Sequence, residues 1–326
     1  MTAWLVVVLP LRGDILNNDL TLIYIGARIG LEHGWTHIYS LPLQHELFMQ
    51  MRPHAPFNDG ERFLSPPPFA WLVLPLTLVG PAGAVYVWII GSVLALVAAW
   101  WIAAPGQGPA RILWLLAALA WYPVLYSLSL AQPDLLLVLL MAAGWRLAEA
   151  KRPYLAGIVL GVSVIKPQLT IVLPLLLLVS GRWRIAAAWV VTAAVLAAIS
   201  LAVIGGQGLS DYRSPQGVVI AIAVAGAYLN RRSTHARVFA LGILATTIGA
   251  TYWHLQDFTI LVLAAWLFWR EHPPAWQRWW LLVVVLGGEL AWPLTPLPVL
   301  VGVAVWFAFM VAPPRLISSK PAMATT

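Results

Sequence analysis

The 326-residue chain contains no cysteine, so it can build neither a disulfide framework nor a thiolate metal site, and its redox compartment leaves no trace. Charge is scarce too. Only 10% of residues are Asp, Glu, Lys or Arg, against about 25% in soluble domains, while 61% are hydrophobic and the mean hydropathy is +0.84. This composition excludes a separate soluble domain and predicts an all-α, polytopic membrane protein. No Walker loop, dinucleotide fingerprint or G-x-S-x-G elbow occurs, so those enzyme classes lose support. His33 and His37 have the i, i+4 spacing of zinc ligands, but Gly34 lies between them and no H-E-x-x-H accompanies them. No metal or cofactor is expected.

The charge that is present is basic, +7 with a pI near 10. It lies scattered in short loops rather than gathered in a stripe, which argues against nucleic acid as a partner. It sorts by membrane side instead. The clusters Arg146/Lys151/Arg152, Arg182/Arg184, Arg231/Arg232/Arg237, Arg270/Arg278 and Arg315/Lys320 hold 12 of the 19 basic residues and only Glu149 and Glu271 of the acids. The rest of the chain holds 7 basic and 10 acidic residues, so the clustered ends are assigned to the cytoplasm.

Residues 1–11 read as the end of a first transmembrane helix that begins upstream of Met1. Residues 12–65 form the one long polar stretch, expected to be a large extracytoplasmic loop carrying short amphipathic helices, one from about Asp19 to His33. Segments this long are usually functional. Apolar blocks follow from 66 to 312, opening with 66–80, 83–104, 110–132 and 134–148 and including 217–229, then a cytoplasmic tail, 313–326. Four blocks separate the polar stretch from Arg146, where an odd number of crossings is needed. The count is reconciled if 110–132 is two short helices bent at Trp121-Tyr122-Pro123, because proline breaks a helix and aromatics mark an interface; otherwise the large loop is cytoplasmic.

Three polar islands can carry chemistry. Asp19 begins a helical face on which Ile23, Gly26, Ala27, Gly30 and His33 follow, leaving room for a ligand; equally, Asn17-Asn18-Asp19 is what a helix N-cap looks like, with the glycines as a packing face. Lys166 interrupts an apolar stretch from Leu155 to Val179, and an ionisable residue at that depth marks a cavity or a partner unless it snorkels. His254 and Asp257, three residues apart, can project from one turn.

Taken together, the run Asp19 to Tyr39, Ser65-Pro66-Pro67-Pro68-Phe69, Leu128-Ser129-Leu130-Ala131-Gln132-Pro133-Asp134, Arg152 to Gly157 with Lys166-Pro167, and His254-Leu255-Gln256-Asp257 resemble glycosyltransferase family 87. The resemblance spans most of residues 15–270 and implies a GT-C-type transmembrane helical bundle. It implies transfer of a hexose, mannose in the polyprenol-phosphate-mannose-dependent members, from a polyprenyl-phosphate donor to a glycolipid or glycan acceptor on the outer face of the plasma membrane, with inversion. By the same resemblance Asp19 is the general base, Lys166 and His254 hold the donor phosphate, and Tyr24, Arg28, Gln132, Asp134 and Asp257 are further site residues. Two departures stand out. The expected tyrosine four residues after the aspartate is Ile23, with Tyr24 one place later, and the family's Gly-Gln-x-Asn run reads Ala131-Gln132-Pro133-Asp134. One carboxylate suffices for such chemistry, because a phosphate monoester, with a second pKa near about 6, leaves without a protein acid. A transporter or flippase of lipid-linked sugars would also use an intramembrane lysine and broken helices, and an inactive scaffold paralogue is the third reading.

Overall fold

The computed structural model describes residues 13–58, 62–211, 233–249, 254–291 and 294–311. The expectations for residues 1–11, the apolar block 217–229, Arg231, Arg232, Arg315, Lys320 and the tail lie outside the described residues. Among those described, every regular element is helical. The polar stretch holds α1 (Asp19–Glu32) and α2 (Leu41–Met51). The apolar remainder holds α3 (Pro67–Val73), α4 (Gly80–Ala103), α5 (Gly108–Ala120), α6 (Tyr122–Ser129), α7 (Asp134–Glu149), α8 (Pro153–Gly161), α9 (Val172–Val179), α10 (Trp183–Asp211), α11 (His235–Gly249), α12 (Leu261–Arg270), α13 (Ala275–Leu290) and α14 (Leu297–Val311).

Burial follows composition. Helix α11 is buried on all sides and packs against α9, α12 and α14, with Phe239, Trp266, Phe268 and Trp306 at the centre of the core. Helix α10 is the opposite case: Val190, Val191, Val195 and Ile199 stand exposed along it. A continuous apolar face of that size is stable against lipid and not against water. Two apolar helical stretches are long enough to cross a membrane, Pro67–Ala103 and Trp183–Gly208. The pair α5 and α6 passes the same test jointly, bent by 56° at Trp121.

That bend is where the sequence places it, and it is held from outside. Trp121 donates its indole N–H to Val285 O at 3.2 Å and lies over Gly288, while Glu289 accepts the Tyr122 backbone N–H at 3.1 Å. The blocks 66–80 and 83–104, however, are not two crossings. Gly80, with φ 74° and ψ 167°, turns the chain after the 3-10 segment Leu74–Val79, and the Phe69 ring lies 5.7 Å from the Trp88 ring, so the shorter segment folds back along α4. The end of α4 meets the basic end of the bundle: Arg270 donates to Ala103 O and Ala104 O at 2.7 and 3.0 Å and lies over Trp145, and Arg111 donates to Trp100 O and Trp101 O. Arg111 therefore joins the Arg146 and Arg270 end. An odd number of crossings would follow if the folded-back pair and the bent pair each counted once.

Three helix ends share one device. In each, the residue after the last turn is left-handed, and two backbone bonds close the end in a Schellman motif. Gly181, with φ 81°, does this for α9, Lys151, with φ 58°, for α7, and Ala131, with φ 50°, for α6. Only glycine adopts that conformation freely. The alanine at 131 thus stands where the resembled family has glycine.

Close approach of α8 to α10 also needs glycine. A Cβ on Gly157 would lie 2.3 Å from Ile185 O, and one on Gly161 would lie 2.5 Å from Thr192 Cβ. The spacing is that of small-xxx-small contacts between membrane helices.

Candidate active site

The polar segment is fastened over one end of the bundle. Gln44 is fully buried; it accepts the Phe63 N–H at 2.8 Å and donates to Ile38 O and Phe63 O. Phe63 and Trp35 in turn fill the notches at Gly26 and Gly30. The small-residue strip on α1 is therefore a packing face, not open space for a ligand. Between this segment and the bundle lies a cleft of about 950 Å³, lined among others by Asp19, Gln132, Lys166 and His254.

Apart from Asp19, which starts α1, each of these side chains comes from a break in helix. Lys166 sits between the 3-10 turns Val162–Ile165 and Pro167–Leu169, where Pro167 supplies no N–H and forces the preceding residue out of the helical region. Gln132 and Asp134 flank Pro133 between α6 and α7. His254 opens the turn Leu255–Ile260 that leads into α12.

The breaks converge on the Lys166 ammonium. Its Nζ lies 2.7 Å from Asp134 Oδ1, 2.7 Å from Asp257 Oδ1 and 3.1 Å from Gln132 Oε1. An ammonium has three N–H donors, and here three acceptors surround it. Asp134 is fully buried and takes a further bond from Ser127 Oγ at 3.1 Å; Asp257 takes one from the His254 backbone N–H at 3.2 Å. The sequence reading makes Lys166 a holder of the donor phosphate; the structure places its ammonium between Asp134 and Asp257. Its charge is more than balanced by two buried carboxylates.

Gln132 carries the cluster's orientation to Asp19, whose carboxylate accepts from Gln132 Nε2. The amide assigns itself. An ammonium can only donate, so the atom facing Lys166 is the oxygen, and the N–H₂ must face Asp19. Asp19 is thereby held as an acceptor. Nor is Asp19 the helix cap: Asn18 is, its side chain accepting the Thr21 N–H at 3.2 Å, while the Asp19 backbone N–H donates to Leu130 O at 3.1 Å. The cap reading thus moves to the preceding residue. Asp14, five residues earlier in the chain, is paired with Arg52.

Tyr24 and Arg28 are not brought to the cleft. Tyr24 is buried, with its hydroxyl 3.5 Å from Thr77 O. Burial raises its phenol above the usual value, with Arg28 lowering it and Glu32 raising it. Arg28 pairs with Glu32 on an exposed face. Conversely, the cleft contains Arg52, Arg62 and Gln256, which sequence reasoning passed over. Arg52 is taken up by Asp14 and Asn17. No hydrogen bond or ion pair involves Arg62 among the described residues, and its position in a polar loop without periodicity offers no signal.

The family model of glycosyltransferase family 87 matches residues 63–288. Gln132, Asp134, Lys166, His254 and Asp257 fall inside that match, and Asp19 falls before it. No curated protein and no solved structure matches the chain.

Proposed function

The chain belongs to glycosyltransferase family 87, and from that premise we propose that it transfers a hexose, mannose by the resemblance, from a polyprenyl-phosphate donor to a glycolipid or glycan hydroxyl at the extracytoplasmic face of a multi-pass plasma-membrane protein. The observation that carries this reading is the line Lys166–Gln132–Asp19, which ends in an acceptor carboxylate on the cleft wall. Asp19 takes the proton of the acceptor hydroxyl as its oxygen bonds to C1 of the sugar. The C1–O bond to phosphate breaks in the same displacement, its electron pair leaves with the polyprenyl phosphate, and C1 is inverted. General-base help of this kind is worth about 10²–10⁴-fold in rate.

The departing phosphate gains negative charge, and a cation is required where that charge develops. Arg62 and His254 both line the cleft, and Arg62 suits this role better than Lys166, because its guanidinium offers a fork of N–H donors not already engaged. Lys166 acts through Gln132 and its two aspartates as a positioning residue.

The test is labelled polyprenyl-phosphate hexose presented, with a glycolipid acceptor, to the purified protein in detergent. Transfer of label to the acceptor needs no sealed compartment and supports the reading. Movement of label only across sealed vesicles, with none transferred, would sink it in favour of a flippase.

A further inference from the structure

Gln256 lies in the turn between His254 and Asp257 and lines the same cleft. Its residue is only 4% exposed, and its Oε1 is buried without a hydrogen-bond partner. Leaving a buried amide oxygen unpaired costs about 1–3 kcal/mol, and native folds seldom tolerate it without reason. Two other buried or half-buried glutamines show the contrast. Gln44 makes three bonds and Gln132 two, each using both ends of the amide. An amide held in a cleft wall with its bonding capacity unused awaits a group from outside.

We propose that Gln256 is a specificity-determining residue that reads a hydroxyl of the transferred sugar, its carboxamide turning out of the cleft wall to pair with it. This rests on the donor reading above. A carboxamide offers both donor and acceptor, as does a hydroxyl, and it carries no charge to disturb the displacement. Placement supports the assignment. His254 faces the cleft two residues earlier in the same turn, so a phosphate bound there brings the sugar it carries to Gln256. Asp257, the next residue, anchors the turn to Lys166, which fixes the amide relative to Asp19 through Gln132.

The experiment compares kcat/KM of wild type and Gln256→Leu on polyprenyl-phosphate hexoses deoxygenated singly at C2, C3, C4 or C6, together with the melting temperature of each protein. Wild type is expected to reject one position by on the order of 10²-fold or more, because the missing hydroxyl leaves the amide unpaired. Gln256→Leu should lose rate on the parent donor, lose discrimination at that position alone, and melt no lower than wild type, since no internal hydrogen bond is removed. Equal loss on every donor, unchanged discrimination, a markedly lower melting temperature or failure to fold would each overturn the inference. If wild type transfers label from the parent donor, the donor reading survives any of these. If it transfers from no lipid-phosphate hexose, that reading falls and this one with it.

Discussion

Replacing Lys166 by methionine keeps most of the side-chain stem and deletes the charge. In the native protein the ammonium stands 2.7 Å from both Asp134 and Asp257, whose residues are 0% and 3% exposed. Removing it leaves two buried carboxylates with only neutral donors, the Ser127 hydroxyl and the His254 backbone N–H. Breaking one buried ion pair from one side costs about 3–5 kcal/mol. At roughly 2–4 °C per kcal/mol for chains somewhat shorter than this one, the apparent melting temperature should fall by about 10 °C. The penalty comes from uncompensated charge rather than lost attraction, so Lys166→Met/Asp134→Asn/Asp257→Asn, with no charge left in the cluster, should recover most of that loss. Thermal denaturation of the detergent-solubilised proteins, followed by tryptophan fluorescence, measures both. A Lys166→Met protein that melts with wild type but binds donor poorly would refute the reasoning, because the ammonium would then serve the phosphate and not the aspartates.

Asp19→Asn should melt close to wild type, since Asn18 is the cap and an asparagine oxygen can still accept from Gln132, while transfer falls by about 10²–10⁴-fold; a stable, fully active variant would move the base elsewhere. Arg62→Ala should lower kcat/KM for the donor roughly 10–100-fold, the worth of a charge-assisted hydrogen bond, with unchanged melting because no partner is left behind. Unaltered kinetics in steady-state assays would remove Arg62 from the phosphate. Ala131→Gly relieves a left-handed alanine and should stabilise by up to about 1 kcal/mol in the same denaturation assay, and a loss of stability would contradict the Schellman end at that position. Because the chain has no cysteine, Asn58→Cys and Ser233→Cys can be labelled with an impermeant thiol reagent in intact cells. Reaction at 58 and protection at 233 is expected, and the reverse would put the cleft on the cytoplasmic side.

Most of the residues that meet at the cleft were legible because each is an expensive interruption of an apolar run. Gln132-Pro133-Asp134, Lys166-Pro167 and His254 to Asp257 announce themselves this way. Their mutual pairing was not legible. Lys166 meets Asp134 and Asp257 across 32 and 91 residues of sequence, and nothing local distinguishes a neutralised lysine from a waiting one. Tyr24 and Arg28 could have been set aside on geometry alone. At about 100° per residue, positions five and nine after Asp19 lie about 140° and 180° around the helix from it, which is where Thr77 and the exposed pair with Glu32 are found. The first two apolar blocks were separated at Gly80-Pro81-Ala82-Gly83, and Gly80, with φ 74°, does turn the chain there, but Phe69 then meets Trp88 at 5.7 Å, a fold-back that links residues 19 apart and that no local pattern announces.

The arrangement also explains why the polar cluster is built at breaks. In a lipid-facing bundle an interrupted helix exposes backbone groups that water cannot satisfy, so interruptions persist only where protein or a cavity supplies partners. Here the protein supplies them. Glu289 takes the first N–H after the Trp121 bend, Leu130 O at the α6 end takes the Asp19 N–H that starts α1, and Asp257 takes the N–H of His254. The Lys166 ammonium then ties the α6–α7, α8–α9 and pre-α12 breaks into one unit. A group at the cleft wall is therefore positioned by every break at once, which is the precision that an in-line displacement demands, where small misplacements cost large factors in rate. The same coupling means that stability and chemistry are separable only at the ends of the network. Among the described residues Arg62 and Gln256 can be changed without breaking an ion pair, whereas a change at Lys166 disturbs all three breaks before any effect on substrate is reached.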